Sequence, residues 1–239
     1  MALREGFADL GALVRKLRAG PPAALELAVV EALTTNETSF FRDWKPFEAL
    51  RQSILPDLIA RNAATRRLDL WSAACSSGQE IYSLAMLLRE HFPQLGTWEV
   101  ALHAADLSTE MVERTRAGRF TQLEVNRGLP APLLVKYFRR EADAWRIDPT
   151  LRALVRPIQL NLAAPWPTLP QMDLVLLRNV LIYFDVPTKK LVLDRIRQRL
   201  RPGGVLFLGT AETTLGIAST CANGAAASSS FMNVLVRQR

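Results

Sequence analysis

Apolar positions recur along this chain at two periods. Short continuous apolar runs alternate with longer stretches whose apolar residues fall three and four apart, the pattern of strands alternating with helices. The stretch from Leu68 to Leu84 opens with a short apolar run and passes through small residues to Gly78. A helix over 79–91 then carries Ile81, Leu84, Ala85 and Leu88 on one face and runs to Pro93. A second run, 98–106, ends in Asp106 and precedes a helix over 109–117. Further strands are predicted at 158–162, ending at Asn161, at 173–177, ending at Arg178-Asn179, and at 205–209. The branched residues of 173–177 suit a central parallel position. A helix over 188–200 is stopped by Arg201-Pro202-Gly203-Gly204. Residues 217–230, rich in Ala, Ser and Gly, read as a loop or poorly ordered segment, and 231–236 as a last, antiparallel strand at the sheet edge. Strands alternating with helices predict an α/β fold with a mostly parallel sheet.

The two ends of this repeat are different in kind. Residues 7–18 predict a short amphipathic helix with Phe7, Leu10, Leu13, Val14 and Leu17 on one side, ended by Gly20. Pro21-Pro22 open a second helix, 22–34. The loop Thr34-Thr35-Asn36-Glu37-Thr38-Ser39-Phe40-Phe41-Arg42-Asp43 is dense in short polar side chains; it reads either as capping residues between helices or as a ligand clamp. Helix continues over 46–62, interrupted by Pro56. Residues 119–160 break the βα alternation: a helix at 131–138 precedes short alternating pieces near 144–147 and 151–155, an inserted antiparallel element.

Composition narrows the class. Of 239 residues, 49% are hydrophobic, enough for a real core, yet no apolar run approaches the ~20 residues of a membrane span. The N terminus has no signal-peptide apolar region, and two distant cysteines, Cys75 and Cys221, make neither a disulfide framework nor a zinc pattern. A cytoplasmic protein without direct membrane insertion and without a metal is expected. The net charge of +7 suits an acidic partner, nucleic acid or protein, but no aromatic-interleaved basic platform is present.

In an open α/β sheet, ligands sit beyond the carboxyl ends of the strands. Four predicted ends carry Gly78 with Glu80, Asp106, Asn161, and Arg178-Asn179. The 68–84 turn has one glycine, so it fits neither the three-glycine dinucleotide fingerprint nor a phosphate-binding loop. Asp106 stands where nucleoside folds hold a ribose; it also precedes Ser108, so helix-start capping is its other reading. A carboxylate for a ribose, amides for a base and few phosphate-binding features point to a nucleoside with a non-phosphate tail, which S-adenosylmethionine satisfies.

Five segments then carry a resemblance: Thr-Asn-Glu-Thr-Ser-Phe-Phe-Arg-Asp at 35–43, Trp-Ser-Ala-Ala-Cys-Ser-Ser-Gly-Gln-Glu-Ile-Tyr-Ser at 71–83, Ala-Asp-Leu-Ser at 105–108, Asn-Leu at 161–162, and Arg-Asn-Val-Leu-Ile-Tyr-Phe-Asp at 178–185. Leu-Arg-Pro-Gly-Gly and the following strand add to them, in order from about 33 to 210. Together they resemble the chemotaxis receptor glutamate methyltransferases of the CheR type. The resemblance implies a class I S-adenosylmethionine-dependent methyltransferase, Rossmann-like. Residues 1–44 would be the last part of a longer N-terminal helical domain. Residues 45–239 would be the catalytic domain, with a small β-subdomain at about 119–160. It implies that Asn36, Thr38 and Arg42 line the cofactor pocket, that Glu80 meets the methionine amino group, that Asp106 takes the ribose hydroxyls and that Asn161-Leu162 flank the adenine. Arg178-Asn179 would sit near the cofactor, with Arg42 and Tyr183 facing the substrate carboxylate and methyl group as the catalytic pair.

One departure is Gly-Gln-Glu-Ile-Tyr-Ser where the family has Gly-Glu-Glu-Pro-Tyr-Ser; the second acid, Glu80, is kept. The β-subdomain loop Arg140-Glu141-Ala142-Asp143-Ala144-Trp145 lacks the glycine insertion of members that tether to a receptor's C-terminal peptide, so no tether is expected. The implied reaction is methylation of glutamate carboxylates on the cytoplasmic domain of chemoreceptors, with S-adenosylhomocysteine as product and the enzyme a monomer. Glutamate, with a pKa of about 4.3, is already ionised, so no general base is needed, and His91 and His103 read as structural. A nucleic-acid methyltransferase is disfavoured because Arg178-Asn179-Val180 stands where an Asp/Asn-Pro-Pro-aromatic signature would be. A catalytically silent cofactor-binding sensor or scaffold is the other reading.

Overall fold

A computed structural model describes residues 6–33, 36–209, 212, 222–223 and 234–236. The chain forms two compact units, residues 1–37 and 38–239. The first holds α1 (Leu10–Arg18) and α2 (Ala23–Leu33). Asp9 caps α1 by accepting the Ala12 N–H at 2.6 Å, and the helix places Leu13 in the interior. Leu10 and Val14, expected on the same apolar side, are exposed.

The second unit opens with α3 (Lys45–Ala49), a π-helical turn (Leu50–Ile54) and α4 (Leu55–Arg61). Contrary to expectation, Pro56 does not interrupt this helix. The wider turn moves the ladder to five-residue spacing just before it, with the Leu55 N–H donating to the Leu50 carbonyl, so the missing proline N–H falls in the first turn of α4.

There follow β1 (Arg67–Ser72), α5 (Gln79–His91), β2 (Glu99–Asp106) and α6 (Thr109–Ala117). Next come β3 (Arg119–Thr121), α7 (Gln122–Asn126), α8 (Ala131–Tyr137), β4 (Phe138–Glu141), β5 (Ala144–Ile147) and α9 (Pro149–Arg152). The chain closes with β6 (Val155–Gln159), β7 (Met172–Leu177), α10 (Val186–Arg199), β8 (Leu200–Leu208), β9 (Ala222–Asn223) and β10 (Val234–Val236).

Seven strands form one sheet in the order β6-β2-β1-β7-β8-β10-β9, and β3-β5-β4 form a separate antiparallel sheet. The pairs β6/β2, β2/β1, β1/β7 and β7/β8 are parallel; β10 runs antiparallel to both its neighbours. This is the mostly parallel α/β arrangement expected of a class I methyltransferase, with its small antiparallel insertion. Three local expectations shift. The strand placed at 158–162 is β6, three residues earlier, and the piece at 151–155 divides between α9 and β6 because Pro149 starts a helix that Asp148 caps. The last strand is not at the edge, since β9 pairs outside it. Apart from 222–223, the segment 217–230 lies outside the described residues, as does Cys221.

Alternation along the parallel strands divides the core. Leu68, Leu70, Leu102, Leu174 and Leu176 face α5, α3 and α4; Trp71, Ala105, Val175 and Leu177 face Val192, Leu193 and Ile196 of α10. All six residues of β7 are buried, as a strand covered on both faces requires. Near the amino ends of the strands lies a buried polar network. Asp69 accepts from Arg67 Nε at 2.8 Å and Arg201 Nη2 at 3.0 Å, and His103 Nε2 lies 3.2 Å away. Asp173 accepts from Arg201 Nη1 at 2.6 Å, from Asn62 at 3.0 Å and from the Asp69 N–H at 2.8 Å. His103 is thus structural, as expected.

Candidate active site

The opposite, carboxyl edge of the sheet carries the candidate chemistry. After β1 the chain must turn sharply to start α5. Ser76 (φ 48°) and Gly78 (φ 97°) take left-handed conformations, and a Cβ on Gly78 would lie 3.0 Å from the Thr115 hydroxyl. The turn is pinned to its neighbours: the Ala73 N–H donates to the Leu176 carbonyl at 2.9 Å and the Cys75 N–H to the Ala105 carbonyl at 2.8 Å. Asp106, at the end of β2, accepts the Ser76 N–H at 2.7 Å and the Ser108 N–H at 3.0 Å. Ser108 itself caps α6, so Asp106 joins the turn after β1 to the turn after β2. Cys75 is buried here, and burial pushes its thiol pKa up, so it stays a neutral thiol.

Glu80, in the first turn of α5, points back over the edge. Its Oε1 accepts from the Ser72 hydroxyl at 2.7 Å and its Oε2 from Arg178 Nη1 at 2.8 Å. Arg178 leaves the end of β7 almost wholly buried. Its Nη2 donates to Asp43 Oδ2 at 2.9 Å and to the Arg42 carbonyl at 3.0 Å, and its guanidinium stands 5.9 Å from the Phe47 ring centroid. A cation so enclosed would be costly without partners; two carboxylates and a carbonyl supply them.

The segment carrying Arg42 is anchored by its aromatic residues. Phe40 sits in the core against Phe120 and Phe138 of the small sheet, at centroid distances of 5.0 and 5.7 Å. Phe41 packs on Phe47 at 5.2 Å, and its N–H donates to the Ser83 hydroxyl at 2.9 Å. Phe41 (φ 47°) and Asp43 (φ 63°) are both left-handed, an uncommon state for residues with side chains. The half-buried Arg42 stands between them at the tip of the turn closed by the Trp44 N–H on the Phe41 carbonyl.

Arg42, Glu80, Arg178 and, through the Ser72–Gly78 turn, Asp106 are therefore joined at one edge. Asn179 (φ 58°) follows Arg178, and the 3-10 turn Leu181–Tyr183 leaves Tyr183 exposed. Asn161 is exposed beyond β6 with Oδ1 accepting the Ala163 N–H at 2.9 Å; Leu162 is buried under the α10 face. Thr38 is half-buried at the start of the second unit, whereas Asn36 belongs to the first. Asp43, Ser72, Ser76 and Glu212 are further contributors that sequence reasoning did not single out. Asp43 lies inside the 35–43 motif; Glu212 carries no local signal.

The donors and acceptors suit S-adenosylmethionine. Each Glu80 oxygen takes one of these bonds, and a carboxylate accepts about four, so room remains for an ammonium group. Among the described residues, Arg178 Nε is buried with no hydrogen-bond partner, a donor suited to a ligand acceptor. Among the described residues, no group of three or more His, Cys, Asp or Glu is placed to hold a metal ion.

Comparison with known proteins identifies the family. Residues 36–223 match the family model described as CheR methyltransferase, SAM binding domain. The chain is 41% identical over 218 residues to the chemotaxis protein methyltransferase Cher2 of Pseudomonas putida, covering 90% of this chain and 79% of that protein. It is 43% identical over 213 residues to chemotaxis protein methyltransferase 1 of Pseudomonas aeruginosa, covering 87% and 77%. With the chemotaxis protein methyltransferase of Vibrio parahaemolyticus it shares 37% identity over 215 residues, covering 88% and 77%. The chain belongs to the CheR methyltransferase family and is an S-adenosylmethionine-dependent methyltransferase.

Proposed function

We propose that this enzyme methylates glutamate side-chain carboxylates on the cytoplasmic domain of bacterial chemoreceptors, giving glutamate methyl esters, and that it works in the cytoplasm as a monomer. The observation that carries the reading is the bridge from Arg178 to Glu80, to Asp43 and to the Arg42 backbone. It ties a carboxylate suited to the cofactor's ammonium group to the turn that carries Arg42. S-adenosylmethionine, when bound, supplies an electrophilic methyl group on sulfur and leaves as S-adenosylhomocysteine. Glu80 would hold its amino group and Asp106 its ribose, with Thr38, Asn161, Leu162 and Asn179 beside them. The family resemblance adds Asn36 to this set.

The chain's own residues have a modest chemical task. A glutamate carboxylate, pKa about 4.3, is ionised at neutral pH and needs no base. It needs orientation and removal from water. Arg42 does the first, because a guanidinium fork matches two carboxylate oxygens. Tyr183 supplies a phenolic hydroxyl at the mouth of the same edge. The net charge of +7 favours approach of an acidic receptor helix. Among the described residues, no helix is long and apolar enough to cross a membrane.

The test is transfer of labelled methyl from S-adenosylmethionine to receptor-containing membranes, followed by alkali. Volatile, alkali-released label that disappears with Arg42→Ala supports the reading. Label that resists alkali, or survives Arg42→Ala undiminished, contradicts it.

A further inference from the structure

Glu212 lies just past the end of β8, almost wholly buried. Four backbone N–H groups converge on its carboxylate. Oε1 accepts from Val180 at 2.8 Å and Leu181 at 2.7 Å; Oε2 accepts from Asn179 at 2.9 Å and Gly209 at 2.8 Å. Bonds from N–H groups to a charged acceptor are stronger than neutral ones, and three of these four come from successive residues of one turn. The carboxylate is itself fixed, since the Glu212 N–H donates to the Gly209 carbonyl at 3.0 Å. Space at this point is tight: a Cβ on Gly209 would lie 2.7 Å from Glu212 Oε2 and 3.1 Å from the Asn179 nitrogen.

The turn so held is not one a chain adopts freely. Asn179 is left-handed (φ 58°), and one residue after it begins the 3-10 turn Leu181–Tyr183. Directly before it stands Arg178, whose side chain is held from the other side by Glu80 and Asp43. One acid thus fixes the backbone of the segment while two others fix its leading side chain. Three of the four donors to Glu212 thus lie in the stretch between Arg178 and Tyr183, which holds three candidate site residues.

We propose that Glu212 is a positioning residue for methyl transfer: its carboxylate sets the backbone of 179–181 and thereby the place of Asn179 and Tyr183. The proposal rests on the reading of this edge as the methyl-transfer site. In Glu212→Gln one oxygen becomes an amide NH2, so two of the four N–H groups face a donor. Glu212→Asp keeps the charge but is one methylene too short.

The test compares wild type, Glu212→Gln, Glu212→Asp, Tyr183→Phe and the Glu212→Gln/Tyr183→Phe double variant as full chains, below their melting midpoints. It reads kcat and KM for methyl transfer to receptor membranes together with amide hydrogen exchange at 179–181. Exchange should rise at least tenfold and kcat fall at least tenfold in Glu212→Gln. KM for the receptor should change less than threefold, and the double variant should lose no more than the worse single one. If Glu212→Gln does not fold, Glu212→Asp carries the test, with at least threefold changes in both exchange and kcat. Unchanged exchange, unchanged kcat, or losses that multiply in the double variant overturn the proposal. A wild type that binds S-adenosylhomocysteine but transfers no methyl group fails the site reading itself and takes the proposal with it. An active wild type with a normal Glu212→Gln overturns the proposal alone.

Discussion

Arg178 donates to Glu80 at 2.8 Å across 98 residues of sequence, joining the end of β7 to the start of α5. Without Arg178, Glu80 would keep only the uncharged Ser72 hydroxyl; without Glu80, Arg178 would keep the more exposed Asp43 and the Arg42 carbonyl but lose its buried carboxylate partner. Glu80→Gln should therefore weaken S-adenosylhomocysteine binding at least tenfold by calorimetry. It should also lower unfolding stability by about 1–3 kcal/mol, the cost of leaving a buried polar group short of a partner.

Asp43→Asn keeps the turn's size but removes the charge facing Arg178. The ion pair holds the Arg42 turn against the β7 end, so its loss should reduce methyl transfer by about tenfold, while Arg42→Ala should reduce it a hundredfold or more. Transition-state arithmetic equates these losses to about 1.4 and 2.7 kcal/mol. Steady-state rates on the same receptor preparation check the ranking. Equal effects of the two changes would mean that Arg42 acts only through its backbone.

The acid dependence of stability should come largely from Asp69. Burial pushes this carboxyl's pKa up, but bonds from His103, Arg67 and Arg201 outweigh it and hold the pKa well below the usual carboxylate range. A depressed folded pKa contributes stability that is complete above the unfolded value of about 3.9 and is lost as pH falls toward the folded one. Urea midpoints should thus fall steeply from about pH 5 downward. Asp69→Asn should flatten that fall and cost about 1–3 kcal/mol at pH 7, because the hydrogen bonds from Arg67 and Arg201 lose their charged acceptor.

Gly128 allows the chain after α7 to touch the segment leading to Arg42. Its φ is +83°, a Cβ there would lie 2.1 Å from the Phe40 carbonyl oxygen, and the Phe40 N–H donates to the neighbouring Arg127 carbonyl at 3.1 Å. Gly128→Ala should cost at least about 2 kcal/mol, combining left-handed strain with the clash. Gly96→Ala, where a Cβ meets nothing within 4 Å, should stay within about 0.5 kcal/mol. Thermal denaturation of the pair separates backbone approach from a general intolerance of alanine.

Much of this edge is legible in the amino-acid sequence, for a local reason. The βα turn at Gly78, the acid ending β2 and the polar residues after β7 each sit at a boundary between two hydrophobic periods, and those boundaries are visible in order along the chain. The spans of α5 and α6 follow from the same signal and agree with the structure. Pro56 misleads because a π-helical turn absorbs the missing donor, and no residue type announces such a turn. The periodicity places β6 late because Pro157 and Arg156 break an apolar run that pairing with β2 nonetheless holds as strand. Glu212 and Asp43 escape a reading by spacing because the partners that tie them to the site lie 31–33 and 135 residues away, where spacing carries no information.

The central claim is that this enzyme esterifies glutamate carboxylates. The most direct measurement is peptide mass spectrometry of a chemoreceptor cytoplasmic domain after incubation with enzyme and S-adenosylmethionine. The account predicts one methyl mass added on specific glutamates and removed by mild alkali, absent when Arg42→Ala replaces the wild type. Methyl groups found on lysine, arginine or histidine, or no methylation by an enzyme shown to bind S-adenosylhomocysteine, would contradict it.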